Sequence, residues 1–510
     1  MTAVALAATP SRTRIGWIMP ALAATLAAVG VWWAVVPYLV GVFHDDGIYV
    51  LLARSIAEGQ GFHYSHLPGA PAATHYPPLY PLALAAVWKL VPAFPANVGA
   101  LLRLNVLFAG LAAAGWWAFA TKRLAWNDAG ALVSAVAVAM STPMLTLSSA
   151  LLSETMFIAL VWPVLIFAER AVTERATRTL ALLGVATGAL MLVRTHAIAL
   201  LAAIILLLLV DRRLRDALVV AASATAIQLP WFIWTAIAAP HVAAPLEGSY
   251  GSYAGWFFTG VREGGASFLL GTVRANTREI AQLLRDRFTT GFSPAFDTCV
   301  ALLVVVFLAY GATQFAHRAR VTLGFCIGYV IIVLVWPYSP WRFMYAMWPV
   351  FALLILEGVR VAWSHSARLR PVIALGATAA LLAFLRTELH SYATRGWRAP
   401  SRQATAQLAP MLRWIEANTT SGDIVLTEGE QVVALYAGRK AAPPVAFTAR
   451  EYLVRRDSAE ATIALQAMLR AVPAQYVVTL SPDVQRSAFA LRELRPLPSG
   501  NGLAAFQVQR

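Results

Sequence analysis

Runs of about twenty apolar residues, long enough to cross a bilayer as a helix, recur along most of the chain. They predict ten or eleven crossings, centred near Ala28, Leu111, Val138, Leu160, Thr187, Ile204, Ala226, Val305, Ile331, Leu353 and Ala379. Two stretches break the rule. The run 180–210 suits two short crossings rather than two full ones, with Arg194, Thr195 and His196 at the bend between them. The run 77–91 carries Pro77, Pro78 and Pro81 and is too short to span, so it is expected to lie at the interface or to re-enter. In 273–288, Arg274, Arg278, Arg285 and Arg287 surround an apolar stripe. That pattern fits an amphipathic helix on the membrane surface, and equally a solvated loop helix.

The tail changes character. From 388 onward it carries fourteen basic and ten acidic residues. Residues 423–428 and 475–480 read as buried strands, and helical patterns fall near 404–418, 430–437 and 457–471. The expected organisation is an α-helical polytopic membrane module of about 11 transmembrane helices over 1–388. A small α/β extracytoplasmic domain follows over 389–510. The first apolar run, about 16–40, follows Arg12 and Arg14; it is longer than a signal-peptide core and reads as an uncleaved anchor.

Composition supports this reading. Of 510 residues, 59% are hydrophobic and 13% charged, against about 25% charged in soluble domains. That excludes a disordered chain and an ordinary soluble enzyme. The net charge of +15 is placed as membrane topology requires rather than as nucleic-acid binding requires. With a cytoplasmic N-terminus, the inner joins are Lys122–Arg123, Arg170–Arg175–Arg178, Arg212–Arg213–Arg215, Arg318–Arg320 and Arg368–Arg370. All are basic. The outer face then holds 41–100, 240–297, short turns at 142–152 and 336–343, and the tail. Only Lys89, Lys122 and Lys440 are lysines, and Arg and Ala dominate, as in a GC-rich bacterial genome. Cys299 and Cys326 lie in apolar runs and form neither a metal spacing nor a disulfide framework.

Candidate chemistry gathers on the outer face. Asp45 and Asp46 follow the first span and open a helix with Ile48, Leu51, Leu52 and Ile56 on one face. Either carboxylate suits a helix N-cap, and either suits a general base; one can cap while the other works. Arg194 and His196 inside a short span pair are costly unless used, or form a structural pair with Glu154. Arg342 suits a phosphate contact or an interfacial anchor. Glu154 follows Ser153 and the polar run 146–149, and opens a span as a ligand-orienting group or as part of a capped helix start. His75 and His63 are loop histidines, as easily solvated as functional.

The stretch 43–81, FHDDGIYVLLARSIAEGQGFHYSHLPGAPAATHYPPLYP within it, resembles the first-loop signature of polyprenyl-phosphate-sugar glycosyltransferases of the GT-C class. That class includes the protein O-mannosyltransferases and the bacterial aminoarabinose transferases. The resemblance rests on Asp45, Asp46, Tyr49, Ala53, Arg54, Gly59 and the segment 76–80. Arg103, Ser153, Glu154, Arg342, Phe343 and the extracytoplasmic tail add to it. It implies a GT-C-like fold and a catalytic Asp45. Arg194, His196, Arg342, His75, Tyr76, Tyr49 and Glu154 become candidates for binding substrate or phosphate. The acidic pair is Asp-Asp rather than Asp-Glu, and Tyr76, preceded by His75, stands where aminoarabinose-transferase-like members have Lys. The phosphate partner expected there is missing or replaced.

Chemistry suits the resemblance. A bundle with a lateral groove can hold a lipid-linked donor. A carboxylate can deprotonate an acceptor hydroxyl, attack opposite the phosphate inverts the anomeric carbon, and a cation should meet the charge growing on the leaving phosphate. No Walker A, GxGxxG or G-x-S-x-G motif is present. No residue spacing specifies a metal; a divalent cation, used by some relatives, stays open. The reading is an inverting transferase moving sugar from polyprenyl phosphate to a lipid, glycan or protein hydroxyl at the outer face of a bacterial inner membrane. Membrane lipids are partners and nucleic acid is not. The alternatives are a transporter or flippase of a lipid-linked substrate, which would favour internal repeats, and a non-catalytic envelope scaffold.

Overall fold

A computed structural model describes residues 17–509 except 175, 366 and 501. Arg12, Arg14 and Arg175 therefore lie outside the described residues. The chain is a multi-pass membrane protein with a small mixed sheet near its C-terminus. In order, the first helices are α1 (Ile18–Ala34), α2 (Asp45–Ala57), α3 (Leu79–Leu90), α4 (Val98–Leu124), α5 (Asp128–Ala139), α6 (Thr142–Ser148) and α7 (Glu154–Glu174). Next come α8 (Thr177–Met191), α9 (Ile198–Val210), α10 (Leu214–Ala238), α11 (Glu247–Tyr250) and α12 (Tyr253–Arg287). Then follow α13 (Pro294–Arg318), α14 (Arg320–Val335), α15 (Trp341–His365) and α16 (Arg370–Thr394).

Every expected span centre falls on a helix, and the helices differ in length. Among the described residues six are long and apolar enough to cross a membrane: α4, α7, α10, α13, α15 and the helix ending at Thr394. A seventh arises if α5 and α6, bent by 57°, count as one span. The helices α1, α8, α9 and α14 are shorter. The expected turn at 142–152 is thus corrected: most of it is the helix α6, whose residues are all buried. Pro143 sits in the first turn of α6, where its missing N–H costs nothing. The expected short pair is present, with Arg194 to Ala197 between α8 and α9. The helix expected at 273–288 is the second half of α12, which is kinked at Gly265 (φ 57°).

The bundle has two chemically distinct ends. At one, the basic joins contact one another: Arg318 donates to Leu124 O, Arg213 to Val172 O, and Arg360 to Leu124 O. At the other, the segment 41–100 bonds to the segment 240–297 through His75 Nδ1 and Gly251 O (3.0 Å) and through the hydroxyl of Thr74, which donates to Tyr250 O (3.1 Å). The helix α7 runs between the ends, from Glu154 to Glu174, and at 1.5 Å per residue it spans about 31 Å.

After α16, α17 (Ala399–Asn418) leads into β1 (Ile424–Leu426), α18 (Glu430–Val432) and β2 (Lys440–Ala442). Then come α19 (Ser458–Ala471), β3 (Tyr476–Thr479), α20 (Pro482–Ala490), β4 (Leu494–Leu497) and β5 (Ala504–Val508). The sheet order is β2-β1-β3-β5-β4. The two strands read from the sequence, β1 and β3, are parallel neighbours in its interior. Pro496 is confined to the edge strand β4, where a missing donor is tolerated. One apolar cluster joins Ile48, Tyr49 and Leu52 of α2 to Leu426, Val477 and Phe506 of the sheet, so α2 and the tail share a core.

Candidate active site

The loop 35–44 drops from the end of α1 into α2, and Asp46 fixes it. Its Oδ2 accepts from Gly41 N (2.9 Å) and the Tyr38 hydroxyl (2.8 Å), and its Oδ1 from Phe43 N (3.0 Å). Asp46 is fully buried. Burial pushes its carboxyl up, opposed by these donors. Of the acidic pair, Asp46 is the residue spent on local structure.

Asp45, one residue earlier, has its side chain 26% exposed. Its Oδ1 accepts from the Tyr76 hydroxyl (2.9 Å), and its Oδ2 is 2.8 Å from Arg342 Nη1. Burial alone would raise this carboxyl. The Arg342 guanidinium, His44 and the Tyr76 hydroxyl outweigh it and hold Asp45 below the ordinary 3.8.

Arg342 is the hinge of the cluster. Besides Asp45 it binds Glu154 Oε1 through Nε (3.0 Å) and Nη2 (2.9 Å). Glu154 has no exposed surface and pairs through Oε2 with Arg194 Nη1 at 2.9 Å. Arg194 Nη1 also donates to Ser153 Oγ (3.0 Å), which shares a hydrogen bond with the Tyr49 hydroxyl (2.9 Å). The chain Asp45–Arg342–Glu154–Arg194 alternates in sign and sums to zero. Such burial is tolerable because each charge has an opposite neighbour at contact distance. Five segments bring these residues together: the start of α2, the Pro-Pro segment before α3, the start of α7, the break between α8 and α9, which supplies Arg194, and the start of α15.

Six of the nine candidate residues, Asp45, Tyr49, Tyr76, Glu154, Arg194 and Arg342, thus form one connected network. Asp46, His75 and His196 stand beside it. The ring of His196 stacks on Phe343 with centroids 4.7 Å apart, and its Nε2 is buried with no hydrogen-bond partner among the described residues. His75 packs against Tyr253, and burial pulls it down to about 4. Arg103, part of the resemblance, lies elsewhere, over the Trp32 ring at 5.1 Å. His63 is only half-buried. Among the described residues no three His, Cys, Asp or Glu side chains converge to hold a metal ion.

The tail contributes residues that no motif flagged. Gln431 Nε2 lies 2.7 Å from His44 Nδ1 and donates to Glu430 Oε1 (2.8 Å), which also accepts from Tyr250 (2.8 Å). His66 Nε2 meets the same Tyr250 hydroxyl at 3.0 Å. Burial raises Glu430 and lowers His66, to about 3. His44, held at φ 63° immediately before Asp45, is therefore braced by the C-terminal domain. A non-glycine residue in this region carries strain, so the brace and the strain meet next to Asp45.

No protein-family model matches the chain, and no curated protein matches it. Among solved structures it is similar to ArnT from Cupriavidus metallidurans. The apo-state crystal structure matches at 12% identity with a TM-score of 0.53, covering 96% of this chain and 97% of that one. The structure bound to undecaprenyl phosphate matches at 14% identity with a TM-score of 0.47, covering 97% and 98%. The likeness to the apo structure is one of fold: membrane bundle and C-terminal domain together have the architecture of ArnT.

Proposed function

We propose that the protein is an inverting glycosyltransferase. It moves a sugar from a polyprenyl-phosphate donor to an acceptor hydroxyl at the extracytoplasmic face of the membrane. The observation that carries this reading is the contact of Asp45 with Arg342 at the mouth of a buried, charge-balanced cluster. It sets a carboxylate able to take a proton beside a guanidinium able to take a phosphate. The fold shared with ArnT, a protein crystallised with undecaprenyl phosphate, agrees with it.

In this reading the donor phosphate displaces Asp45 from Arg342. Guanidinium–phosphate pairs are bidentate and strong. Glu154 keeps Arg342 aimed while this exchange occurs, because its own contacts lie on the buried side. Asp45, freed but still held by Tyr76, accepts the proton of the acceptor hydroxyl. The new oxygen–carbon bond forms as the bond from the anomeric carbon to the phosphate oxygen breaks. The electron pair leaves with the phosphate, where Arg342 and then Arg194 stabilise the growing charge. Tyr76 takes the place of the family's lysine as a carboxylate-positioning hydroxyl rather than as a cation. That shifts the phosphate-holding task onto arginine. We assign 1–388 to the catalytic membrane module and 389–510 to an extracytoplasmic domain that braces it. The basic joins lie at the cytoplasmic end.

The test is release of polyprenyl phosphate from a panel of radiolabelled polyprenyl-phosphate sugars in membranes. Membranes with the protein, without it, and with Asp45→Asn are compared. Release and transfer only with the unaltered protein supports the reading. Equal release in all three overturns it.

A further inference from the structure

A second charged site stands apart from the Asp45 cluster, where α1 ends and α17 begins. A cavity of about 530 Å³ opens there. One wall is apolar, formed by Val36, Pro37, Leu39, Ala406 and Ala409. The other carries Arg395, Arg398 and Arg402, and no carboxylate lines the space. Among the described residues none of the three arginines makes an ion pair. Arg398 donates to Ala34 O through Nε (3.1 Å) and Nη2 (2.5 Å), and Arg402 donates to Thr394 O (3.1 Å). The Arg395 side chain has no hydrogen bond among the described residues. Burial, and then the like charges of Arg395 and Arg402, act to lower the Arg398 pKa.

Two further features point to an occupant. Arg395 has φ 53° at the end of α16, a conformation that strains an L-residue and that usually falls to glycine at a helix end. Here it places a guanidinium on the cavity wall, while the glycine comes one residue later. An aromatic girdle also sets the depth of the cavity. Trp32 and Trp33, in the last turn of α1, are 55% and 60% exposed. Trp33 stacks on Tyr392 at 6.5 Å and packs near Trp397 at 6.3 Å. Exposed tryptophans beside tyrosine mark the level where hydrocarbon gives way to headgroups. The cavity begins just past them in sequence, with an apolar wall and a triply cationic one.

We propose that this cavity is a second anionic site, which takes the phosphate headgroup of an anionic membrane lipid between Arg395, Arg398 and Arg402. The lipid's apolar part lies against the Val36–Pro37 wall. The site is separate from the sugar-transfer reading and stands or falls without it. It nevertheless touches the same scaffold: Tyr38 lines the cavity, and its hydroxyl binds Asp46.

The test is native mass spectrometry of the purified full-length protein titrated with short-chain phosphatidylglycerol, phosphatidylcholine or inorganic phosphate. Saturable retention of one phosphatidylglycerol in preference to phosphatidylcholine is expected. Losing two charge-assisted contacts in Arg395→Asn/Arg402→Gln should weaken it by about tenfold or more. A second variant, Ala406→Glu, sets a carboxylate in the exposed wall and should weaken retention without removing any arginine. Thermal midpoints confirm that each variant is folded. Undiminished phosphatidylglycerol binding in both variants overturns the proposal. So does equal retention of phosphatidylcholine. Inorganic phosphate binding as tightly as phosphatidylglycerol overturns the assignment to a lipid.

Discussion

Removing the charge of Glu154 should unbalance the buried cluster, and the imbalance should be repairable. In the native site two carboxylates, Asp45 and Glu154, face two guanidiniums, Arg342 and Arg194. Glu154→Gln keeps the shape and one acceptor oxygen but leaves the group at a net charge of +1. Glu154 has no exposed surface, so solvent cannot screen the change. Breaking a buried pair by neutralising one partner costs about 3–5 kcal/mol, chiefly because the other charge is left uncompensated. Adding Arg194→Gln restores neutrality, with Asp45–Arg342 still paired. Replacing both members of a buried pair is often close to neutral, so more than half of the loss should return. Unfolding can be followed with a thiol-reactive dye, since Cys326 is buried and Cys299 supplies an exposed baseline. A double variant as unstable as the sum of the two single losses would refute the charge-balance account. So would Glu154→Gln at wild-type stability.

Asp45 is held below its ordinary value, so it is ionised throughout the neutral range, and its protonation should not limit activity until pH falls below the ordinary carboxylate range. In Arg342→Gln the main opposing charge is gone and burial is left to raise the group. The acid limb of the residual rate should then move to higher pH, and an unmoved limb would contradict the assignment. His75 is buried and neutral, lowered to about 4. The unfolded chain therefore binds a proton below about 6.5 that the folded protein refuses, and stability drains away as pH falls from there toward 4, by about 1.4 kcal/mol per pH unit. His75→Asn should flatten the slope of the thermal midpoint against pH by that share, relative to wild type. Gly47 faces Gln431, and a Cβ there would stand 2.5 Å from the Gln431 Cβ. Gly47→Ala should cost about 1–3 kcal/mol, loosen the brace on His44, and lower kcat more than it raises KM. Unchanged kinetics would show that the brace does not serve the site.

Much of this architecture is written in local patterns. The span centres stand out because apolar runs at helix length are a strong signal. The interior strands β1 and β3 stand out because Ile424–Leu426 and Tyr476–Thr479 are apolar and β-branched. The edge strands do not: β2 is Lys-Ala-Ala, and β4 is interrupted by Pro496. The bend that turns 142–148 into α6 carries no breaker a span would lack, apart from Pro143. At the site, residues near Asp45 in the motif were visible, and so were the charges inside spans, because their burial is expensive. The division of labour within the acidic pair was not. Asp46 takes the amides of Gly41 and Phe43 from the loop 35–44, whereas Asp45 meets Tyr76 and Arg342, which come from 31 and 297 residues away. Glu430, Gln431 and Tyr250 were invisible for another reason. They reach His44 from up to 387 residues away, through packing that no local pattern encodes.

The most direct measurement is steady-state transfer by the purified protein carrying Asp45→Asn, alongside Asp46→Asn. A general base contributes roughly 10²–10⁴-fold to rate. Asp45→Asn should therefore lose about that much kcat with KM near wild type, and its thermal midpoint should fall less than that of Glu154→Gln because Asp45 is partly exposed. Asp46→Asn should lose folded yield or midpoint, because its three donors lose their charged acceptor. Wild-type turnover in folded Asp45→Asn protein would contradict the account at its centre.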